Sequence, residues 1–399
     1  MELYPKSKYF FFKPKNLGDE DQYSKGIPLN KIFINYASGI SFRKDNLLVK
    51  KHFTKKSVEQ MLSDIASLPD EDILKKYDFN ETADWKLKDK RHLFLNWKPE
   101  DIVRVMYRAL DFRYAFYPIA KANQIIVRGD SRIDLMKNVL LHKNVGLQFN
   151  RQIVGDSVSH FLASRVPTTG GTFYLGNKGK DYFAPLYLFS NEDRIGLLSD
   201  GSLRVNLSLE FLTAFANKLE IKLDSKGMPL GVTPLGIFHY AYAVFHSPSY
   251  RSRYFELLKL DFPRLPLTGN FDLFNKLSDL GNEITALHLF ESPKIKIFST
   301  HFNGLINHEI EKISWSNNTV WIDKLETIGF EGVVEEVWNF NIGGFQISEK
   351  WLKDRKGMKL TKQDIFDYQS LVMVLSESIH IMKEIDVVIS QHGGWTEAF

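Results

Sequence analysis

Apolar positions change their spacing along the chain. Residues 9–14 and 32–36 are short aromatic-rich runs of β type, separated by the turn residues Gly18-Asp19 and Lys25-Gly26. With the alternating Leu47-Leu48-Val49 they predict a small sheet unit. Residues 54–67 predict an amphipathic helix, because Val58, Met61, Leu62 and Ile65 fall at helical spacing behind a capping Thr54. Shorter helical pieces are expected at 71–77 and at 99–110, where Ile102, Val103 and Met106 would share a face. Residues 144–152 alternate apolar and polar side chains and predict a strand with its polar side chains on one face. Residues 185–189 form a compact apolar strand candidate.

Beyond the polar, glycine-bearing stretch 191–201 the helical period takes over. It runs through 206–219, 234–245, 251–258, 272–290 and 362–389, the last with Ile365, Tyr368, Leu371, Val372, Leu375, Ile379 and Met382 on one stripe. Strands are expected at 294–298 and 319–322. The pattern predicts an α+β fold: a mixed, sheet-containing region over 1–195 and a mainly helical region over 196–399 of the same module. No internal repeat interrupts it.

Composition adds exclusions. Hydrophobic residues at 44% and charged residues at 25% of 399 match globular usage, which removes disordered and collagen-like classes. No stretch reaches the roughly 18 uncharged apolar residues of a membrane span, so a soluble, cytoplasmic protein is expected. The absence of cysteine excludes disulfides, thiol nucleophiles, iron–sulfur clusters and cysteine-containing zinc sites. Net charge is only +4, but residues 1–60 hold 12 Lys and Arg against 6 Asp and Glu, and residues 104–151 hold 9 against 3. If those segments meet in space they make one basic face; solvated lysines on unrelated surfaces are the alternative.

The common catalytic strings are missing. There is no G-x-x-x-x-G-K-[ST] phosphate loop, no H-E-x-x-H and no G-x-S-x-G. A Gly-rich turn for S-adenosylmethionine and the Asn/Asp-Pro-Pro-Tyr/Phe element of adenine methyltransferases are also absent. The Thr168-Thr169-Gly170-Gly171-Thr172 and Gly176 to Gly179 stretch reads as a mobile loop. His301 and His308, seven apart with Glu309 and Glu311 beside them, lack a convergent third metal ligand, so no metal site is expected.

Arginine, amide and aromatic side chains are instead concentrated in a few segments. Tyr107-Arg108-Ala109-Leu110-Asp111-Phe112-Arg113-Tyr114 sets two arginines around an aspartate, and residues 144–152 end in Asn150-Arg151-Gln152. His246-Ser247-Pro248-Ser249-Tyr250-Arg251 is followed by Asp261-Phe262-Pro263-Arg264. Gly343-Gly344-Phe345 precedes Lys350-Trp351-Leu352-Lys353-Asp354-Arg355-Lys356-Gly357. Arginine reads guanine through O6 and N7 and Gln or Asn reads adenine through N6 and N7, so the side chains of direct readout are present. The same arginine–aspartate arrangements also tie loops to cores through forked hydrogen bonds.

In order and spacing these strings, with Leu280-Gly281 and Leu287-His288-Leu289, resemble the C-terminal specificity domain of type ISP restriction–modification enzymes. The likeness runs from about Tyr9 to Ile389, and Ala109-Leu110 and Phe345 depart from its usual pattern. It implies a double-stranded DNA target-recognition module without catalytic activity of its own, an excised fragment or a separate subunit. Its partners, in cis or trans, would be an N6-adenine methyltransferase and a motor/nuclease. S-adenosylmethionine, ATP and Mg would belong to those partners, leaving no cofactor in this chain. Arg151, Gln152, Asn150 and Arg128 are then the base-contact candidates, and Lys143, Arg132, Arg251, Lys350, Lys353 and Arg355 the phosphate candidates. Arg108, Asp111, Arg113, His246, Tyr250, Asp261, Arg264, Gly343, Gly344 and Trp351 are expected to build the framework. The alternative is a scaffold that docks on a methyltransferase and touches DNA only non-specifically.

Overall fold

The computed structural model describes residues 19–127, 129–153, 155, 158–174, 180–189 and 203–399. The run at 9–14 and Arg128 therefore lie outside the described residues. Within them the fold is α+β, with several small sheets rather than one large one.

The N-terminal sheet has four strands in the order β1-β6-β4-β5, all neighbours antiparallel. They are β1 (Ala37–Ser38), β4 (Gly146–Asn150), β5 (Phe161–Ser164) and β6 (Asp181–Pro185). A separate hairpin pairs β2 (Ile102–Arg108) with β3 (Asp111–Phe116), and Leu110 at its turn takes a left-handed conformation at φ 57. Here the expected helix over 99–110 is corrected: a 3-10 turn at Pro99–Asp101 leads into β2. Nearly every residue of β2 is buried, so Ile102, Val103, Val105 and Met106 show none of the alternation that marks a one-sided strand. The β-like 47–49 run is a short helix over Asp45–Leu48, and 294–298 is a 3-10 turn over Pro293–Lys296.

Helix α1 (Lys55–Ser67) starts where the sequence places it, with Thr54 accepting the Ser57 amide. Helix α2 (Ile133–Leu140) packs beside the sheet. The C-terminal half contains α3 (Pro234–His246), α4 (Pro248–Arg253), α5 (Phe271–His288), α6 (Ile347–Lys353) and the 30-residue α7 (Lys362–Gln391). Helices α3 and α5 pack face to face, and Gly281 makes this possible: a Cβ there would collide with the His239 carbonyl. A small antiparallel sheet over residues 301–331 lies between α5 and α6 in sequence. One buried apolar cluster takes side chains from Ile40 to Phe183; a second runs from Tyr23 to Ala398 and draws on both sides of residue 195.

The Thr168–Thr172 stretch is corrected from a mobile loop to a packed element. Ile40 donates to Thr168 O, Gly170 donates to Ile40 O, and Arg108 Nη1 donates to Gly171 O at 3.0 Å. Gly39 lies against Thr169 with no room for a Cβ. Gly176 to Gly179 lie outside the described residues.

Candidate nucleic-acid interface

Strand β4 supplies the first group. Its polar residues do share one face, but Gln148 and Asn150 are fully buried. Asn150 is therefore corrected as a base reader: it sits inside, opposite Asp181 in the strand register. Beyond it the chain turns outward, leaving Arg151 and Gln152 exposed. Arg151 Nε donates to Asp261 Oδ1 at 2.9 Å, and its guanidinium lies 5.5 Å from the Phe262 ring centre. Gln152 Nε2 donates to the Leu260 carbonyl at 2.9 Å.

Beneath Arg151 is an aromatic floor. Tyr36 lies 5.6 Å from Tyr182 and 5.9 Å from Phe262, and Tyr182 lies 5.7 Å from Phe262. Burial, and next the Tyr182 hydroxyl, raise the Tyr36 phenol above its ordinary pKa. The floor gives Arg151 a stacking surface and restricts its rotamers.

The same segment borders a second feature. Asn35 and Ala37, on either side of Tyr36, line a cleft of about 340 Å³ together with Asn123, Gly129, Ser131, Arg132 and the first turn of α2. Arg132 precedes that helix in a left-handed conformation at φ 56, and its Nε is buried without a hydrogen-bond partner among the described residues. Residues 35–37 thus border both the cleft that holds Arg132 and the aromatic floor beneath Arg151. Lys143 is exposed at the opposite end of β4 and makes no ion pair among the described residues.

The remaining phosphate candidates are placed differently. Arg251 is corrected: its side chain is buried, Nε donates to Phe245 O at 2.7 Å, and burial lowers its pKa to about 10. Arg355 is also corrected. It is buried with Asp111 at 3.0 Å and stacks 3.5 Å from the Trp351 ring centre, so it presents no charge to a phosphate. Lys350 is half-buried and paired with Asp354, and Lys353 is exposed and paired with Glu349 at 2.8 Å. The first pair ties α6 to Asp354 just past its end, and the second lies within the helix and leaves the Lys353 amine at the surface.

The framework residues hold distant segments together. Arg108 Nη1 also donates to Tyr107 O at 2.8 Å. Arg113 reaches Asp111 and Asp354, each at 2.6 Å, through Nη2. Burial pushes the Asp111 carboxyl up, but the Arg113 and Arg355 guanidinium groups outweigh it and hold the pKa below its ordinary value. Tyr250 donates to Arg264 O at 2.5 Å, and Arg264 Nη1 reaches the Gly26 carbonyl at 2.8 Å. His246 meets Tyr242 O through Nδ1 at 2.7 Å. Gly343, at φ 61, and Gly344 run against the backbone of Phe173, whose carbonyl accepts from the Gly344 amide. The glycine pair thus permits close approach of two chain segments.

Sequence reasoning missed Tyr36, Tyr182, Asp354, Asp181 and Asp386. Only Asp354 carried a local signal, its spacing of four from Lys350. Among the described residues no group of three or more His, Asp or Glu side chains converges as a metal site, and no helix is long and apolar enough to cross a membrane.

A search of curated proteins finds no match. Among solved structures, the fold is similar to the ATP-dependent Type ISP restriction–modification enzyme LlaBIII bound to DNA, at TM-score 0.65 and 20% identity over 91% of this chain. It is also similar to the DrdV–DNA complex, at TM-score 0.67 and 17% identity over 92%, and to a nuclease-deletion mutant of the Type ISP enzyme LlaGI with a DNA substrate mimic, at 0.60 and 17% over 91%. The chain spans 24%, 38% and 34% of those three chains, respectively. A family-model scan matches residues 31–384 to the Type ISP C-terminal specificity domain, and the chain belongs to that family.

Proposed function

We propose that this chain recognises a short asymmetric site on double-stranded DNA for a type ISP restriction–modification enzyme. It would thereby position an N6-adenine methyltransferase and a motor/nuclease. The observation that carries this reading is the family match over 31–384, joined to a fold shared with enzymes solved on DNA. Chemistry stays with the partner modules, which would bind S-adenosylmethionine, ATP and Mg. The proposed setting is the cytoplasm.

In this reading Arg151 and Gln152 touch base edges, while Arg132 and Lys143 hold phosphates, with Lys350 and Lys353 as outlying contacts. Phosphate contacts set affinity and register; base contacts set sequence. Recognition is assigned to 1–195 and support to the helical region 196–399. The test is selection from a randomised duplex library with the full chain. A preferred short site supports the reading, and uniform salt-sensitive binding overturns it. Lys143→Ala should weaken all sequences alike and flatten the salt slope by about one unit.

A further inference from the structure

We propose that Asp261 is a positioning residue that sets Arg151 to read a single guanine. This rests on the recognition reading above and names the base and the residue behind it. The Arg151–Asp261 pair is exposed on both sides, and such pairs contribute little to folding. Its geometry serves another end. Asp261 takes the Nε hydrogen, the one on the side of the guanidinium, at 2.9 Å. Among the described residues neither terminal nitrogen has a hydrogen-bond partner, and together they form the fork that matches guanine O6 and N7.

Phe262 fixes the second degree of freedom. Its ring lies under the guanidinium, and Tyr36 and Tyr182 wedge that ring in place. The Leu260 carbonyl, one residue before Asp261, is held by Gln152, so the segment carrying the carboxylate is pinned to the segment carrying the arginine. Ile153, which donates to Leu258 O at 3.3 Å, extends the same seam. An arginine restrained in both rotation and tilt loses less entropy on meeting a base than a free one.

Asp261 also allows a sign test. A carboxylate near DNA repels phosphates, so removing an incidental one strengthens binding to every sequence. Removing a positioning one relaxes a single base position. The experiment compares full-chain wild type, Asp261→Ala, Asp261→Asn and Arg151→Ala in selection from a randomised duplex library, with thermal melts checking the fold of each. Arg151→Ala should abolish preference for guanine at one position. Asp261→Ala should lower preference at that same position about tenfold without weakening non-cognate binding. Asp261→Asn, which keeps an acceptor oxygen, should recover part of it.

An Asp261→Ala profile unchanged at the Arg151-dependent position overturns the inference, as does a uniform loss across all sequences. If Arg151→Ala leaves a well-defined wild-type motif intact, the couple is wrong while recognition stands elsewhere. A flat wild-type profile overturns the recognition reading and this inference with it.

Discussion

Asp111 and Arg355, 244 residues apart, meet in a buried ion pair of 3.0 Å. The pair joins the β2–β3 hairpin to the end of α6, and Arg113 extends it to Asp354. Two guanidinium groups thus share one fully enclosed carboxylate. Asp111→Ala leaves both cations without their common partner, and breaking a buried pair from one side costs about 3–5 kcal/mol. Urea unfolding should show a loss of that size. Adding Arg355→Ala should cost less than the sum of the two single changes, because the second removes a charge that the first has already stranded.

Gly281→Ala separates helix propensity from packing. Alanine is favoured over glycine inside a helix by about 1 kcal/mol. In α5, however, the new methyl group would meet the His239 carbonyl of α3. Forcing the helices apart costs about 1–3 kcal/mol or more, so the net effect should be a lower Tm. A raised Tm would mean that the two helices do not approach this closely.

Asp386 on α7 holds the start of α4. Its carboxylate accepts the Ser249 amide at 2.9 Å and the Ser249 hydroxyl at 2.7 Å, and it also takes the Ser247 hydroxyl. Trp395 Nε1 donates to the same Ser249 hydroxyl at 2.7 Å. Asp386→Ala strands these donors and should cost about 1–3 kcal/mol in denaturant unfolding. The emission of Trp395 should shift to the red, best resolved by difference against a Trp395→Phe control.

Long amphipathic helices were legible in the sequence because one buried stripe and one wet face leave a periodic record. The 362–389 stripe became Lys362–Gln391 almost unchanged, and 272–290 became Phe271–His288. Elements buried on both sides leave no such record, which is why β2 resembled a helix. The candidate site divided on the same physical ground. Arg151 and Gln152 were recognisable as a chemistry, but nothing local distinguishes them from Asn150, one residue earlier and fully buried. Arg251 and Arg355 were misplaced because an arginine string reads the same whether its partner is a phosphate, a backbone carbonyl such as that of Phe245, or an aspartate far along the chain such as Asp111. Tyr36 and Tyr182 became part of the site only through strand pairing, which no short motif encodes.

Asp181 and three histidines should pull the pH dependence of stability in opposite directions. Asp181 is buried at the start of β6, and its carboxylate accepts the Phe173 amide at 2.9 Å. Burial raises its pKa from 3.8 to about 7, against the opposing pull of the Phe173 and Thr172 amides. Between those values the folded protein keeps a proton that the unfolded chain has released. Stability from this group is therefore lost as pH rises from about 4 to about 7. His160 and His288 are lowered by burial to about 3, and His239 to about 4, with nearby arginines adding to each shift. From about 6.5 down to those values the unfolded chain binds the extra protons, so stability falls as pH falls. Asp181→Asn removes only the first contribution and mimics its protonated form. Between pH 4.5 and 6 the slope of unfolding free energy against pH should rise by about 1.4 kcal/mol per unit relative to wild type. Above pH 7, where the native carboxylate must ionise inside the fold, Asp181→Asn should be the more stable protein. Urea titrations across that range measure both effects, and equal slopes for the two proteins would place the Asp181 proton in solvent-like surroundings.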